Sequence, residues 1–491
     1  MNEETAAAPS FKENWITRFF HIKEKGGKPS GDILGGIVTF LAMCYILPVN
    51  SAILSSTGMD SLGVFMATAL VSGIVTLIMA IVANCPVALS AGMGLNAYLA
   101  FTVCKGLNYS WQEGMILLTV TGILFFIFSL TPVRRKIIDA FPMDLKAIIS
   151  AGLGAFIAFV GLKGANIIVT DAVIDVQGKI SSSTLVTLGS LSDPAVILSI
   201  VGILLVLALM NIKTKHGLLS SLAVPIGMLF VAVIGLIIHV SGVDNPNLPS
   251  VDFSTGWGWQ SFGNYANVFA YGLFGSSSGQ DFWGMVGGVF SNPASYAVIF
   301  SLIFVNMFDT SATLMAIGRD TDIFGADGKM KDNKVIMADA TGALICAPLG
   351  TATVTSFVES TIGVKLGART GLASIVTGGL FLLAAFIYPV FQLFTYSCVS
   401  CAALVAVGAM IFAGNLKTIK WIDPAIGFSA FITILMIVLT YSLTNGIGFG
   451  LLAYCVIMLA SKRGKEINWI LYVVASFYLV SFAVNEIVKH L

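Results

Sequence analysis

The sequence predicts an all-α polytopic membrane protein with about 14 transmembrane segments, and three observations carry that prediction. Of 491 residues, 57% are hydrophobic and 10% charged, with a mean hydropathy of +0.92. A water-soluble domain of that make-up would expose more apolar surface than water tolerates. Apolar runs of about 17–25 residues, enough to cross a bilayer as helix, recur along nearly the whole chain. Finally, 22 of the 26 Lys and Arg fall on one set of alternate loops, leaving Lys105, Lys163, Lys179 and Lys489. The positive-inside rule makes that set, and with it the N-terminus, cytoplasmic, as expected of a multi-pass protein of the cell membrane.

Taken in order, residues 1–31 are polar and charged, a cytoplasmic segment in which no cleavable signal peptide is visible. A first repeat over 32–240 holds apolar runs at 33–57, 63–84, 113–130, 147–165, 195–212 and 217–240, with a weaker, broken segment at 86–104. Gly152, Gly154, Gly161 and Gly164 suit close helix approach. The stretches 165–194 and 241–294 are long and nearly free of basic residues, and they read as extracellular caps. A second repeat over 295–461 holds runs at 295–318, 370–391, 398–414, 424–442 and 445–461, with a second weak segment at 335–364. In the C-terminal segment, 462–491, the stretch "INWILYVVASFYLVSFAV" suits either an extra span or an interfacial helix. Cys398 and Cys401 have a C-x-x-C spacing but read as small hydrophobes within a helix.

The two weak segments match each other. "CPVALSAGMGLNAYLA" (85–100) runs from Pro86 through an extended-looking stretch to Asn96. In the other, Pro348 and Gly350 precede "TATVTSF" and Glu359. Non-helical backbone cannot face lipid, because each unpaired N–H or C=O costs several kcal/mol. Such a pair points to inverted repeats whose short helices aim their amide ends at a shared central site.

Only Asp309, Asp339 and Glu359 among the acids fall well inside apolar runs, and no Lys or Arg does. An ionised carboxylate at membrane depth must be protonated, hydrogen-bonded or in contact with water. Acids without bases suggest proton or cation coupling. They also suit a neutral ligand rich in N–H donors and argue against a transported anion. Asn306 lies three residues before Asp309, on the same helical face. Phe308 can stack on a flat ring or simply pack. Thr353, Thr355 and Ser356 can offer hydroxyls to a ligand or satisfy local backbone, and residue type alone does not separate these. No G-x-x-x-x-G-K-[ST] or H-E-x-x-H occurs, so neither ATP nor zinc chemistry is evident.

These same residues carry a family likeness. "ALSAGMGLNAYLAFTV", "FVNMFDTSATLMAIGRD", "ADATGALICAPLGTATVTSFVESTIGV" and "GARTGLASIVTGGLFLLAAF" resemble the adenine–guanine–hypoxanthine permeases. These form the AzgA-like branch of the nucleobase cation symporter (xanthine/uracil permease) superfamily, and the similarity runs from about residue 30 to about 461. The resemblance implies a uracil-permease-like fold of 7+7 inverted repeats, with short β-strands in the broken third and tenth spans and core and gate domains. It implies proton-coupled import of purine nucleobases by an elevator-like shift, with no cofactor beyond the proton and no enzymatic or nucleic-acid-binding role. Besides the purine and the lipid bilayer, it implies a second copy of the chain as partner, docked through the gate. Asn96 then falls where the third span touches the base, Glu359 at the carboxylate that holds the purine, and Asp309 at the acid of proton coupling. Asn306 departs from the branch, where an aspartate is usual. Asn306, Phe308 and Ser356 join Asn96 and Glu359 as candidate substrate contacts, with Asp309 and Glu359 as candidates for proton coupling.

Overall fold

The computed structural model describes residues 15–131, 140–174, 180–212, 218–243, 245, 247–250, 257–258, 261–273, 281–318, 321, 333–440 and 442–490. The first crossing is α1 (Pro29–Met43) followed by α2 (Ile46–Ser55). The run over 33–57 reads as one helix, but the structure breaks it at Cys44 and Tyr45. Leu47 donates to the Cys44 carbonyl three residues back, a tightened turn within the span. Helix α3 (Ser61–Ile78) is capped by Asp60, which accepts from the Gly63 N–H at 2.8 Å. It runs into a π-helical turn, Met79–Ala83, and stops at the left-handed Asn84.

The broken third span follows as β1 (Leu89–Ala91), the half-helix α4 (Met93–Ala97) and a π-helical continuation, Tyr98–Gly106. Next come α5 (Trp111–Leu130), started by a Ser110–Glu113 capping box, and α6 (Met143–Gly164). The cap over 165–194 contains a hairpin of β2 (Ile168–Ile174) and β3 (Ile180–Leu188). Helices α7 (Pro194–Asn211) and α8 (Ala223–Val240) complete the first half.

The second half opens with a difference from the sequence reading. Residues 241–294 read as a cap, yet they include α9 (Phe282–Ser291), joined at an 87° bend to α10 (Pro293–Gly318). Pro293 causes the bend, since it disfavours helical backbone at Asn292 and starts a new helix at its own position. A second difference concerns 335–364, which the sequence offers as one broken segment. The chain goes up as α11 (Lys334–Ile345), reverses at Gly350 (φ 89°) and returns as β4 (Val354–Ser356) and the half-helix α12 (Ser360–Lys365). The return is close, with Val354 Cγ1 3.2 Å from where a Gly342 Cβ would sit. Residues 334–365 therefore make two passes, the ninth and the broken tenth.

Helices α13 (Gly371–Ala384), α14 (Ser397–Leu416), α15 (Pro424–Thr440) and α16 (Leu443–Ala460) supply spans eleven to fourteen. Cys398 and Cys401 are buried free thiols on α14, in keeping with their reading as small hydrophobes. A further helix, α17 (Trp469–His490), runs antiparallel beside α16. Leu459 lies near Gly464 at one end and Phe449 stacks on Phe482 toward the other. The buried Tyr478 hydroxyl meets Ser301 of α10 at 3.0 Å. This helix packs along its neighbours rather than standing apart from them.

Packing sorts the spans into two groups. Spans one to four pack mainly with spans eight to eleven, and spans five to seven with twelve to fourteen. Each repeat thus contributes its first four members to one group and its last three to the other. In the second group α6 lies on α14, where a Cβ at Gly154 would come within 2.7 Å of the Gly408 carbonyl and one at Gly408 within 2.5 Å of the Gly154 carbonyl. Gly152 and Gly161 are comparably tight. Gly164, expected to join them, faces open space at the end of its helix.

Candidate functional site

The two broken spans meet each other. Strands β1 and β4 pair antiparallel, with Leu89 opposite Ser356, Ser90 opposite Thr355 and Ala91 opposite Val354. Gly92 N–H donates to the Thr353 carbonyl at 2.9 Å and Phe357 N–H to the Ala88 carbonyl at 3.0 Å, which lengthens the ladder at both ends. Side chains of neighbouring helices satisfy backbone that the ladder leaves free. Thr76 Oγ1 accepts from the Leu89 N–H at 3.0 Å and donates to its carbonyl at 3.1 Å, while Ser360 Oγ accepts from the Ala88 N–H. Extended backbone survives in an apolar bundle because these partners are supplied.

The ladder sets the half-helices α4 and α12 on either side of it. Asn96 lies on α4, and Glu359 is the residue that caps α12. Gly35 and Gly363 let α1 and α12 approach closely, since a Cβ at Gly363 would sit 2.6 Å from the Gly35 carbonyl. That approach delivers the Tyr45 hydroxyl from the break in the first span to Glu359 Oε1 at 2.7 Å. The Glu359 side chain is half-buried, not sealed.

Helix α10 packs against β4, α4 and α12 and supplies Asn306 and Asp309. The Asp309 carboxyl interacts with the Thr355 hydroxyl and with the Asp339 and Glu359 carboxyls. Asp339, buried on α11, accepts from Thr310 Oγ1 at 3.0 Å and from Ser356 Oγ at 3.1 Å. The structure therefore brings all three membrane-depth acids into one cluster around β4. It also commits the Ser356 proton to Asp339, leaving its oxygen lone pairs for any further partner. The Phe308 side chain lies outside the described residues.

Asn96 is buried and donates its Nδ2 to Asn50 Oδ1. Asn50 Nδ2 donates in turn to Thr68 Oγ1 at 2.7 Å and Thr351 Oγ1 at 3.0 Å. The oxygen of Asn96 has no partner, and neither do both amide atoms of Asn306, although all are buried. Among the described residues the other such side-chain atoms are one on His239 and one on Gln392. Leaving a buried polar atom unsatisfied costs about 1–3 kcal/mol. Three such atoms lie on the adjoining helices α4 and α10, and each can still take a hydrogen-bond partner.

Tyr45, Asn50, Thr68, Thr310 and Thr351 were not singled out by sequence reasoning. The first four are neutral side chains inside ordinary apolar runs, and Thr351 lies in the broken segment after Gly350 as one threonine among several. Among the described residues, no group of three or more His, Cys, Asp or Glu is placed to hold a metal ion. The arrangement offers carboxylate and amide acceptors at membrane depth, from spans 293–318 and 335–364 that contain no Lys or Arg.

Comparison with known proteins agrees with this geometry. The family model Xan_ur_permease, described as "Permease family", matches residues 30–449. The guanine/hypoxanthine permease PbuG of Bacillus subtilis is 35% identical over 473 residues, covering 94% of this chain and 98% of that protein. The adenine permease AdeQ of Escherichia coli is 31% identical over 490 residues, covering 97% and 98%. Among solved structures, the transmembrane domain of the cyanobacterial bicarbonate transporter BicA superposes with a TM-score of 0.55 at 13% identity, covering 86% of this chain and 96% of that one. That likeness shows the fold alone, the 7+7 inverted-repeat transporter fold expected from the motifs. The chain belongs to the Xan_ur_permease family, in the branch of adenine, guanine and hypoxanthine permeases that its motifs resemble.

Proposed function

We propose that this permease imports purine nucleobases (hypoxanthine, guanine or adenine) in symport with protons, by an elevator-like movement of spans one to four and eight to eleven against the rest. The observation that carries the substrate class is the acceptor-rich, base-free site. Glu359, half-buried and oriented by Tyr45, and the unpartnered Asn96 oxygen suit a neutral ring with N–H groups on its edges. A bicarbonate-like anion would meet carboxylates without a compensating cation. Coupling is assigned to Asp309 and Glu359, two acids at membrane depth in spans that contain no Lys or Arg. The names of related permeases, guanine/hypoxanthine and adenine, support a purine as the ring.

Asn96, Asn306, Glu359 and Ser356 are assigned to the ligand, with Phe308 as a stacking partner. No cofactor is required beyond the coupling proton. The N-terminus is assigned to the cytoplasm and the chain to the cell membrane, from the distribution of basic loops. The repeat boundaries at 32–240 and 295–461 and a homodimer through the second helix group belong to the same reading.

The test is uptake of labelled hypoxanthine into proteoliposomes with and without an inward proton gradient. Gradient-stimulated uptake supports both substrate and coupling. No uptake in either condition, with the protein folded, overturns the substrate assignment. Asn306, where the branch has an acid, favours one variant of this reading, a different nucleobase such as xanthine or uracil. Competition of uptake by those bases separates the two.

A further inference from the structure

The hydrogen bonds behind Asn96 have a direction that can be worked out. Thr68 Oγ1 donates to the Val64 carbonyl at 2.7 Å, and a carbonyl only accepts. Its single proton is thereby spent, so Thr68 must accept from its other neighbours. These are Asn50 Nδ2 at 2.7 Å and the Thr351 hydroxyl at 3.0 Å. Thr351 is then the donor to Thr68 and accepts from Asn50 Nδ2 at 3.0 Å. Both protons of the Asn50 amide are now used, and its Oδ1 is left to accept from Asn96 Nδ2. Turning Asn50 over would set its oxygen against the Thr68 lone pairs. Turning Asn96 over would set two carbonyl oxygens against each other.

We propose that Asn50 is a positioning residue for ligand selection: it fixes the Asn96 amide so that the carbonyl oxygen faces the ligand, and the permease therefore selects a ring offering an N–H at that point. The Asn96 oxygen is fully buried and has no partner, the state of an acceptor kept for something outside the protein's own bonds. The cluster that sets it draws on α2, α3 and the turn before β4, so both halves of the chain contribute. Glue between helices would need only that the amides bond to one another. This arrangement also decides which end of Asn96 is left over.

The inference rests on the purine reading and sharpens it. With Glu359 as an acceptor on the opposite half-helix, the site presents acceptors from both sides. A 6-oxopurine meets them with N1–H on its six-membered ring and a single N–H on its five-membered ring. That second N–H, which moves between positions 7 and 9 in hypoxanthine, can be fixed at either one without changing size. In 7-deazahypoxanthine the N–H stays at position 9, and in 9-deazahypoxanthine it stays at position 7.

The experiment measures both analogues as inhibitors of hypoxanthine uptake in proteoliposomes of the wild type, Asn50→Leu and Asn50→Asp. The wild type is expected to prefer one isomer by about tenfold or more, the scale of one hydrogen bond lost in a buried site. Asn50→Leu frees the Asn96 amide to turn and reduces that preference to about twofold or less. Asn50→Asp, as a neutral carboxyl, donates its O–H to Thr68 in place of the amide, still accepts from Asn96 Nδ2 through its other oxygen, and keeps the preference. A purely structural role for Asn50 would lower uptake and leave the ratio alone, which overturns the proposal. Equal inhibition of the wild type by the two isomers also overturns it, and needs no variant to fold. Absence of wild-type hypoxanthine uptake is a different result, one that strikes the purine reading itself.

Discussion

Replacing Glu359 by glutamine separates the carboxylate's work on the ligand from its work on the fold. The Tyr45 hydroxyl donates to Oε1 at 2.7 Å, and a glutamine Oε1 accepts the same bond, so the contact between the first span and α12 is kept. What changes is the second oxygen, which becomes an NH2. A ligand N–H that was met by a charged acceptor is then met by another donor. Losing a charge-assisted hydrogen bond costs about 1.5–3 kcal/mol, and leaving a buried donor unpaired costs about 1–3 kcal/mol more. A combined loss of about 2.5–6 kcal/mol corresponds to about two to four orders of magnitude in transport efficiency, at tenfold per 1.4 kcal/mol. Initial rates of labelled hypoxanthine uptake measure the loss, and thermal unfolding in detergent checks that Glu359→Gln leaves stability within about 1 kcal/mol of wild type. Wild-type uptake by this variant would refute the assignment of Glu359 to the ligand.

Other outcomes follow from the same geometry. Asn306→Leu removes two buried amide atoms that have no partner, so it should stabilise the protein by about 1–3 kcal/mol while abolishing uptake; lower stability with intact uptake would show the amide to be structural. Asp32, buried on α1, accepts from the Arg369 N–H at 2.7 Å, the Thr370 N–H at 3.0 Å and Thr370 Oγ1 at 2.8 Å, and so ties the first span to the start of α13. Asp32→Ala should cost about 2–4 kcal/mol in thermal unfolding, and an unchanged melting temperature would contradict that role. The Arg463 guanidinium, 2.8 Å from Asp423, holds that half-buried carboxyl below the usual range. A depressed carboxylate contributes stability above its unfolded value, about 3.9, and loses it as pH falls through the folded value. The stability difference between wild type and Asp423→Asn should therefore be constant above about pH 5 and shrink only below about pH 4, as read by unfolding across that range.

Much of the site was legible in the sequence because membrane depth makes polar residues conspicuous. Glu359, Asp309 and Asp339 stood out as charges in apolar runs, and the structure gathers them around one short strand. Pro86 and Pro348 announced the broken spans, since proline with nearby glycine has few uses within a lipid-facing helix. The double pass over 334–365 was also encoded. Lys334 and Lys365 both belong to the basic set, which demands an even number of crossings between them, but the hydrophobic run alone looked like one. Tyr45 and Asn50 were not legible. A phenol and an amide in a long apolar helix look like packing until a partner some 300 positions away arrives, such as Glu359 for Tyr45 or Thr351 for Asn50. The 87° bend between α9 and α10 was missed for a related reason. Ten residues of α9 are too few to register as a span, and they were absorbed into a glycine-rich cap.

The ladder between β1 and β4 also imposes a wait during synthesis. The partner of Ala91 is Val354, which the ribosome adds roughly 260 residues later. At about 5–20 residues per second that is roughly 13–50 s. For that interval the first broken span has left the ribosome without the strand that completes its backbone hydrogen bonds. A nascent chain stalled just before residue 354 would hold eight other spans and one that cannot settle, and so would invite capture by insertion or quality-control machinery. Expressed alone, the first half should be short-lived in the membrane, and supplying the second half as a separate chain should rescue it.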